Sequence, residues 1–597
     1  MPTPREQAQV VVWGGGTGGV AAALQAARGG ADTLLLTPGA WLGGMVSAAG
    51  VCAPDGNELS PWQTGLWGAF LRELQRCEPE GLDQNWVSCF GYRPATAEAI
   101  LRRWCQAEPR LRWWPGVRLE AVQRRGNRVH SLELERGGQP LAVDLELLID
   151  GSDRGDLFPL ADAPYRLGWE AREQWDEPSA PGQAALDLDP FFAEQPLQSP
   201  TWVVMGQLAE GPMPGPARDL PAPFTAAAEA FGLERTITYG RLPGGLVMLN
   251  WPLHGNDWHG QLDRLFHADP ARRASLYQDM REHSLAFAAA LQEASGGWLS
   301  PGRCFPGFGD GALEGPEALA LMPYWREGRR LVGRELVIEQ QLLPQGPGAS
   351  IAALPLDAVG HTTAIAVGNY ANDHHYPGDD WPLAPKSCRW GGRWSGTPFT
   401  IPYGALLSAG IDNLLAADKC CSVSHMANGA TRLQPLVFNL GQAAGAAAAL
   451  SLHLGVSPAE LPVRQLQEAL IGDAQAPAGP VPLWDTPWHH PHWAERQRAV
   501  LDEPTLLAAD GSLSGRSAGV NPQRGPAEPG ESLWQGQVSG DGEGGYRFSN
   551  GGGSWPLITL EPALHRWLQQ LDGPRSVELV GSLNPWGPWL RASRLAR

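Results

Sequence analysis

Val10-Val11-Val12-Trp13-Gly14-Gly15-Gly16-Thr17-Gly18-Gly19 decides the fold: an apolar run enters a glycine-rich turn and leaves it as the alanine-rich segment Val20 to Arg28. The order is strand, turn, helix. Gly14, Gly16 and Gly19 fit G-x-G-x-x-G, in which the first glycine permits the tight turn, the second lets backbone approach a pyrophosphate, and the third lets helix pack on strand. Thr17 falls within the same turn, and the N–H groups opening the helix suit a diphosphate anion. A second apolar strand, Asp32 to Thr37, completes a β-α-β unit. That strand ends in Thr37-Pro38 where dinucleotide folds place Asp or Glu against the adenosine ribose, so Thr37 offers one neutral hydrogen bond in place of a charged acceptor.

Length and composition narrow the classes further. A chain of 597 residues has room for several domains and a large core. The formal charge of −18 and the lack of a basic run argue against a nucleic-acid partner, which needs clustered Lys and Arg. The first strand follows so closely on Met1 that no leader is expected, and Ala443 to Val456, the most apolar long segment, falls short of the roughly 20 residues of a bilayer span. Eight cysteines are sparse for this length, and the adjacent Cys420 and Cys421 point to opposite faces of an extended chain. Buried, reduced thiols and a cytoplasmic protein are expected.

Further segments carry a resemblance. They are Trp41-Leu42-Gly43-Gly44-Met45-Val46-Ser47-Ala48-Ala49-Gly50-Val51, Asn250 to Asp257, Tyr324 to Gly333, Tyr370 to His375, and Asn413 to Arg432, the last continuing through Pro435 into Leu440-Gly441-Gln442-Ala443-Ala444-Gly445. Together, over roughly Val10 to Leu470, they resemble a family of FAD-dependent oxidoreductases of the two-dinucleotide-binding-domain type, loosely labelled xanthan lyase-related. The resemblance implies FAD as cofactor, the loop with Gly43, Gly44 and Met45 beside the isoalloxazine ring, Asp418 against the ribityl hydroxyls, and the helix led by Asn439, Gly441 and Gln442 with its positive end toward the ring. Three departures surround that cofactor: Thr37, Asp150-Gly151-Ser152-Asp153 in place of Ala-Thr-Gly, and Asp418-Lys419 in place of Gly-Arg. They imply weakened FAD retention and motivate a second reading, a binding or scaffold protein that kept the fold and lost the cofactor.

The expected architecture is α/β: a Rossmann-like FAD-binding domain in two parts, 1–163 and 355–474, interrupted by an α+β substrate or cap domain, 164–354. A Pro/Gly/Ala linker at 476–482 leads to a small β-rich C-terminal appendage, 483–597. Helices are expected at Tyr92–Arg103, Phe224–Phe231 and Pro270–Ser295, strands at Leu145–Asp150, Ala364–Gly368 and Asn413–Ala417, and a hairpin through Arg125-Gly126-Asn127-Arg128.

Oxidation of an organic substrate calls for a base poised near neutral pH, which histidine supplies most readily. His425, His375 and His254 all lie in the matched segments; His425 follows the strand that passes the ring, Asp373 is placed to orient His375, and His254 with Asn256 and Asp257 reads as substrate hydrogen bonding. Arg432 is a further candidate beside the ring. Arg326, Arg329 and Arg330 share a segment that suits a carboxylate clamp, although an ion-pair network with Glu327 or Glu335 is the better reading. Trp488-His489-His490-Pro491-His492-Trp493 lacks the convergent second-ligand pattern of a metal site and reads as a packing turn, so no metal is expected. A small-molecule substrate is expected; the electron acceptor and the oligomeric state are left open.

Overall fold

The computed structural model describes residues 4–306, 317–377, 381, 388–514, 521–528, 530–587 and 589–596. Strand β1 (Arg5–Trp13) runs parallel to β2 (Thr33–Thr37), joined by helix α1 (Thr17–Arg28), and β2 runs parallel to β3 (Leu111–Pro115). Burial of Val10, Val11 and Val12 and of Leu34, Leu35 and Leu36 fits a parallel sheet covered on both faces. Helices α2 (Gly65–Cys77) and α3 (Pro94–Ala107) lie between β2 and β3. The latter begins two residues later than the sequence suggests because Pro94, which has no N–H to lose, takes an opening helical position. Strands β4 (Val117–Arg125) and β5 (Arg128–Arg136) form the expected hairpin, and β6 (Gln139–Asp150) returns beside β1.

β6 is where the two halves of the chain meet. Its N-terminal part pairs antiparallel with β5, while Leu148, Ile149 and Asp150 pair in parallel with Leu414, Leu415 and Ala416. The C-terminal ends of β1, β6 and Leu414–Ala416 therefore lie side by side, the crevice in which open α/β sheets bind ligands. The strand expected at Ala364–Gly368 forms as Ala364–Asn369, but it pairs with Pro398–Pro402 in a two-stranded sheet of its own.

The long helix Gln434–Leu454 covers the sheet next to α1 and is apolar and long enough to suggest a membrane span; 89% of that stretch is buried, which makes it a core helix here. It ends at Gly455 in the left-handed region (φ 67), as its lack of a Cβ allows. In the middle of the chain Val204–Leu208 pairs with Leu246–Leu249 and Leu299–Pro301, and the helix Pro270–Ala294 packs on this small sheet. Phe224–Phe231 is a series of turns, with Ala227 N donating to Phe224 O and Glu229 N to Ala226 O; Pro221 and Pro223 withhold N–H groups at its start, and so short a segment cannot repay helix nucleation.

The C-terminal region folds as a closed five-stranded barrel, in the order Ser532–Gly540, Tyr546–Asn550, Gly553–Thr559, Leu590–Leu595, Arg575–Leu583, with the helix Pro562–Gln569 between its third and fourth strands in sequence. It is docked on the main body: Asn584 Nδ2 donates to Asp83 Oδ1 (2.8 Å), Trp589 Nε1 donates to the same oxygen (3.2 Å), and Arg393 lies over the Trp589 ring (4.8 Å). All eight cysteines are free thiols.

Candidate active site

The glycine turn is shaped by the crowding of three backbones. Gly14 has φ +102, and a Cβ there would lie 2.6 Å from the Gly151 carbonyl oxygen; a Cβ on Gly19 would collide with the carbonyl of Gly14. Gly16 is the N-cap of α1, and its Cβ position falls 2.8 Å from both the Asp418 carboxylate and the Gly151 carbonyl. The loop after β2 is sewn to this turn. Gly43 N donates to Gly15 O (2.8 Å), Thr17 Oγ1 donates to Gly43 O (2.8 Å), and a Cβ on Gly44 would stand 2.9 Å from Gly16 Cα. Met45 is buried in the same loop, and its carbonyl accepts from Val51 N (3.1 Å). Thr37 donates to Gly39 O (2.7 Å) and accepts from the Trp113 indole (3.0 Å).

The other two departures, Asp150-Gly151-Ser152-Asp153 and Asp418-Lys419, form two compact devices. Asp150 accepts from Ser152 N and Oγ (2.9 and 2.6 Å) and from Leu157 N (2.9 Å), which turns the chain sharply at Gly151; burial, then the charge of Asp156, pushes its carboxyl up to about 7. Lys419 is fully buried between Asp153, which it contacts closely, and Asp418 Oδ1 at 3.4 Å. Asp418 Oδ2 in turn accepts from Gly18 N (2.9 Å) at the start of α1. Burial raises the Asp418 carboxyl to about 6 against the pull of Lys419; burial also opposes the Lys419 charge, but Asp153 and Asp418 together hold that ammonium above its ordinary range.

A cavity of about 800 Å³ opens beside the turn. It runs from Gly14–Gly16, Thr37–Trp41 and Trp113, past Ser152–Arg154, to Trp202, Tyr277, Leu321–Pro323 and Trp325. Its size lies within the range of cofactor sites, and Arg102 and Arg281 stand on its wall. The glycine cradle, the N-terminus of α1 and this cavity fit a dinucleotide such as FAD.

A second, smaller chamber of about 50 Å³ lies at the first turn of Gln434–Leu454. Five separated segments build it, among them Asp55, Asn250, Tyr324 with Arg326, Asp373 with His375, and Arg432 with Gln434. His375 is held at both ring nitrogens, Nδ1 by Asp257 Oδ2 (2.7 Å) and Nε2 by Asp373 Oδ2 (3.2 Å). Arg326 pairs with Asp257 (3.0 Å), and Arg432 pairs with Asp373 (3.1 Å) while donating to Tyr324 Oη (2.7 Å). Burial opposes ionisation of both aspartates, but Arg326 and His375 at Asp257, and His375 and Arg432 at Asp373, outweigh it and hold both carboxyls well below the ordinary carboxylate range.

Residues 9–470 match the family of FAD-dependent oxidoreductases. The chain belongs to that family. FAD is thus its cofactor. No curated protein matches the sequence significantly. Among solved structures, this FAD-dependent oxidoreductase is similar to L-proline dehydrogenase from P. horikoshii (12% identity, 28% of this chain and 26% of that one, TM-score 0.17). It is also similar to CabE, an aromatic hydroxylase from angucycline biosynthesis (14% identity, 50% and 51%, TM-score 0.25), and to the flavin-dependent monooxygenase PieE in complex with FAD and substrate (13% identity, 34% and 36%, TM-score 0.23). The chain spans about a quarter to a half of the length of these structures.

Of the candidate residues, the chamber gathers His375, Asp373 and Arg432. His425 lies in a separate buried network: Nδ1 on Glu327 Oε1 (2.8 Å), Nε2 on Tyr376 Oη (2.6 Å), and its backbone N–H on Glu170 (2.7 Å). His254 is exposed, in the left-handed region at φ 53. Arg330 pairs with Glu170 (3.0 Å) and Glu327 (3.2 Å), whereas Glu335 accepts from Gly404 N (3.2 Å). Gly441 abuts α1 so closely that a Cβ would collide with the Gly18 carbonyl, and Gln442 accepts from Leu66 N (2.8 Å) and donates to Ala476 O (2.8 Å). Both residues thus pack the core helix. Among the described residues no group of three or more His, Cys, Asp or Glu side chains is placed to hold a metal, and Arg72 lies over Trp488 (4.2 Å), pinning that turn to α2. In the sequence Asp257 reads only as a substrate hydrogen-bonder beside His254, and Asn250, Tyr324 and Gln434 carry no signal of their own; the convergence of these four is a property of the fold.

Proposed function

We propose that this FAD-dependent oxidoreductase moves a hydride between a small polar organic substrate and the flavin, with the cofactor along the larger cavity and the substrate in the smaller chamber. The observation that carries this reading is His375, clamped between Asp257 and Asp373 in a buried chamber that also holds Arg326 and Arg432.

Gly14, Gly16 and Thr17 would border the diphosphate, Thr37 and Trp113 the adenosine, and Gly43, Gly44 and Asp418 the ribityl and ring portions. When bound, FAD supplies a two-electron acceptor or donor at its N5 position. The protein's own task is the proton. Oxidising an alcohol to a carbonyl removes a hydride from carbon and a proton from oxygen; neutral His375 has one ring N–H, which Asp257 holds at Nδ1, and its bare Nε2 takes the proton, after which Asp373 accepts from Nε2 as well. Asp373 keeps 38% of its side chain open, and Tyr370 Oη donates to it (3.2 Å), so the Nε2 edge is the one through which the proton passes. Arg432, itself bonded to Tyr324, donates to the same Asp373 oxygen that faces Nε2 and so fixes the ring's tilt. His425, bonded to Glu327 and Tyr376 and packed against the Trp169 ring (4.0 Å), has a structural role in this reading. The test is anaerobic mixing of the FAD-loaded protein with a panel of small alcohols and carbonyls: bleaching in wild type that His375→Ala slows at unchanged FAD content supports the reading, and bleaching at the same rate in both overturns the role of His375.

A further inference from the structure

The chamber is matched in charge but not in hydrogen bonds. Each cation facing it is already covered, Arg326 by Asp257 and Arg432 by Asp373, with His375 bridging the two carboxylates. The remaining acid on its wall, Asp55, acts on Arg393 and Tyr370. Yet four buried polar atoms of lining residues have no partner: the donors Arg326 Nε and Arg432 Nε, and the acceptors Asn250 Oδ1 and Gln434 Oε1. The orientation of Gln434 is set by its Nε2, which donates to Val51 O (3.3 Å). Buried polar atoms in folded proteins are almost always paired, so four orphans around one chamber mark a ligand's hydrogen-bonding partners.

We infer that the chamber takes an uncharged, hydroxylated part of the substrate, a vicinal diol or its hydroxy-carbonyl counterpart, read by Arg326, Arg432, Asn250 and Gln434; this rests on the function proposed for the same chamber. A hydroxyl both donates and accepts, which is what two orphan donors and two orphan acceptors require. A carboxylate answers the arginines but sets negative oxygens against the Asn250 and Gln434 carbonyls. An ammonium answers those carbonyls but faces both guanidinium groups. The volume of about 50 Å³ suits a fragment of a few heavy atoms.

The experiment uses the full-length, FAD-loaded protein and three probes on one carbon frame: glycerol, glycerate and 3-aminopropane-1,2-diol. All three carry adjacent hydroxyls and differ in the charge of the third position. Perturbation of the flavin spectrum is titrated with each. Glycerol is expected to bind at least about tenfold more tightly than either charged analogue, and Asn250→Leu and Gln434→Leu are each expected to weaken it about 2- to 12-fold, the range of one neutral hydrogen bond. Gln434→Glu, which keeps the side chain's shape, is expected to turn the preference toward the aminodiol and serves if a leucine variant does not fold. The inference is overturned if a charged analogue binds wild type as tightly as glycerol, if no probe perturbs the flavin, or if folded variants with full FAD content bind all three probes as wild type does. FAD content separates the two levels: a flavin-loaded protein indifferent to the diol refutes the substrate class alone, whereas a chain that takes up no FAD refutes the function on which it rests.

Discussion

Lys419→Met tests whether the buried ion triad is a structural necessity of this chain's altered cofactor site. Lys419 has no exposed side-chain surface, and neither does Asp418, while Asp153 retains 7%. Removing the ammonium leaves two carboxylates in a site from which water is excluded, and breaking a buried pair in this way costs about 3–5 kcal/mol. The cost depends on pH with a definite sign. Asp418 already holds its proton up to about 6 with Lys419 in place, above an unfolded aspartate, so the penalty for its ionised form is present above that pH and is relieved as pH falls through it. Without Lys419 the carboxyls rise further. The gap between wild type and variant should therefore approach the full value at pH 8 and narrow toward pH 5. Because a chain with a separate barrel need not unfold in one step, the transition is best followed by denaturant-induced release of flavin fluorescence, which reports this region. A gap below about 1 kcal/mol, or one equal at the two pH values, would refute the argument that the three charges depend on one another.

Two further pairs of variants follow. His375→Ala should slow flavin reduction by substrate about 100-fold or more with FAD retained, whereas His425→Ala should mainly lower thermal stability, because it takes one hydrogen-bond partner from each of buried Glu327 and Tyr376; rapid mixing and melting curves on the same samples distinguish them. Gly39→Trp should lower FAD affinity about tenfold or more with little loss of stability, since Gly39 lines the larger cavity and a Cβ there meets nothing within 4 Å. Gly16→Val should lose both FAD and stability, because its Cβ position is pressed against Asp418 and Gly151; equal melting temperatures for the two variants would contradict this distinction.

What the sequence reveals follows the range of the interactions involved. The β1–α1–β2 unit is legible because apolar runs, glycines and a short helix are local signals, and the hairpin at Arg125–Arg128 is legible for the same reason. The glycines are legible as necessary, but not what crowds them: Gly14 and Gly16 face Gly151, and Gly441 faces Gly18, partners far away along the chain. Lys419 and Asp418 read as neighbours in sequence, while the stronger partner, Asp153, lies 266 positions away. The chamber shows the limit most clearly. His375 and Asp373 are adjacent enough to be paired by eye, yet Asp257, Arg326 and Arg432 arrive from other segments. His425, which looks catalytic from its motif, faces Glu327 and Tyr376 instead. The barrel's alternating strands are visible, but its closure and its seat on Asp83 are long-range pairings.

A crystal structure of the FAD-loaded protein with glycerol bears most directly on the account. It should show the diphosphate at Gly14–Thr17 and the edge of the isoalloxazine ring, with glycerol, in contact at about 4 Å with the chamber formed by His375, Asp373, Arg326 and Arg432. A flavin ring lying instead against His425, or density for FAD outside the cavity beside Thr37 and Trp113, would contradict it.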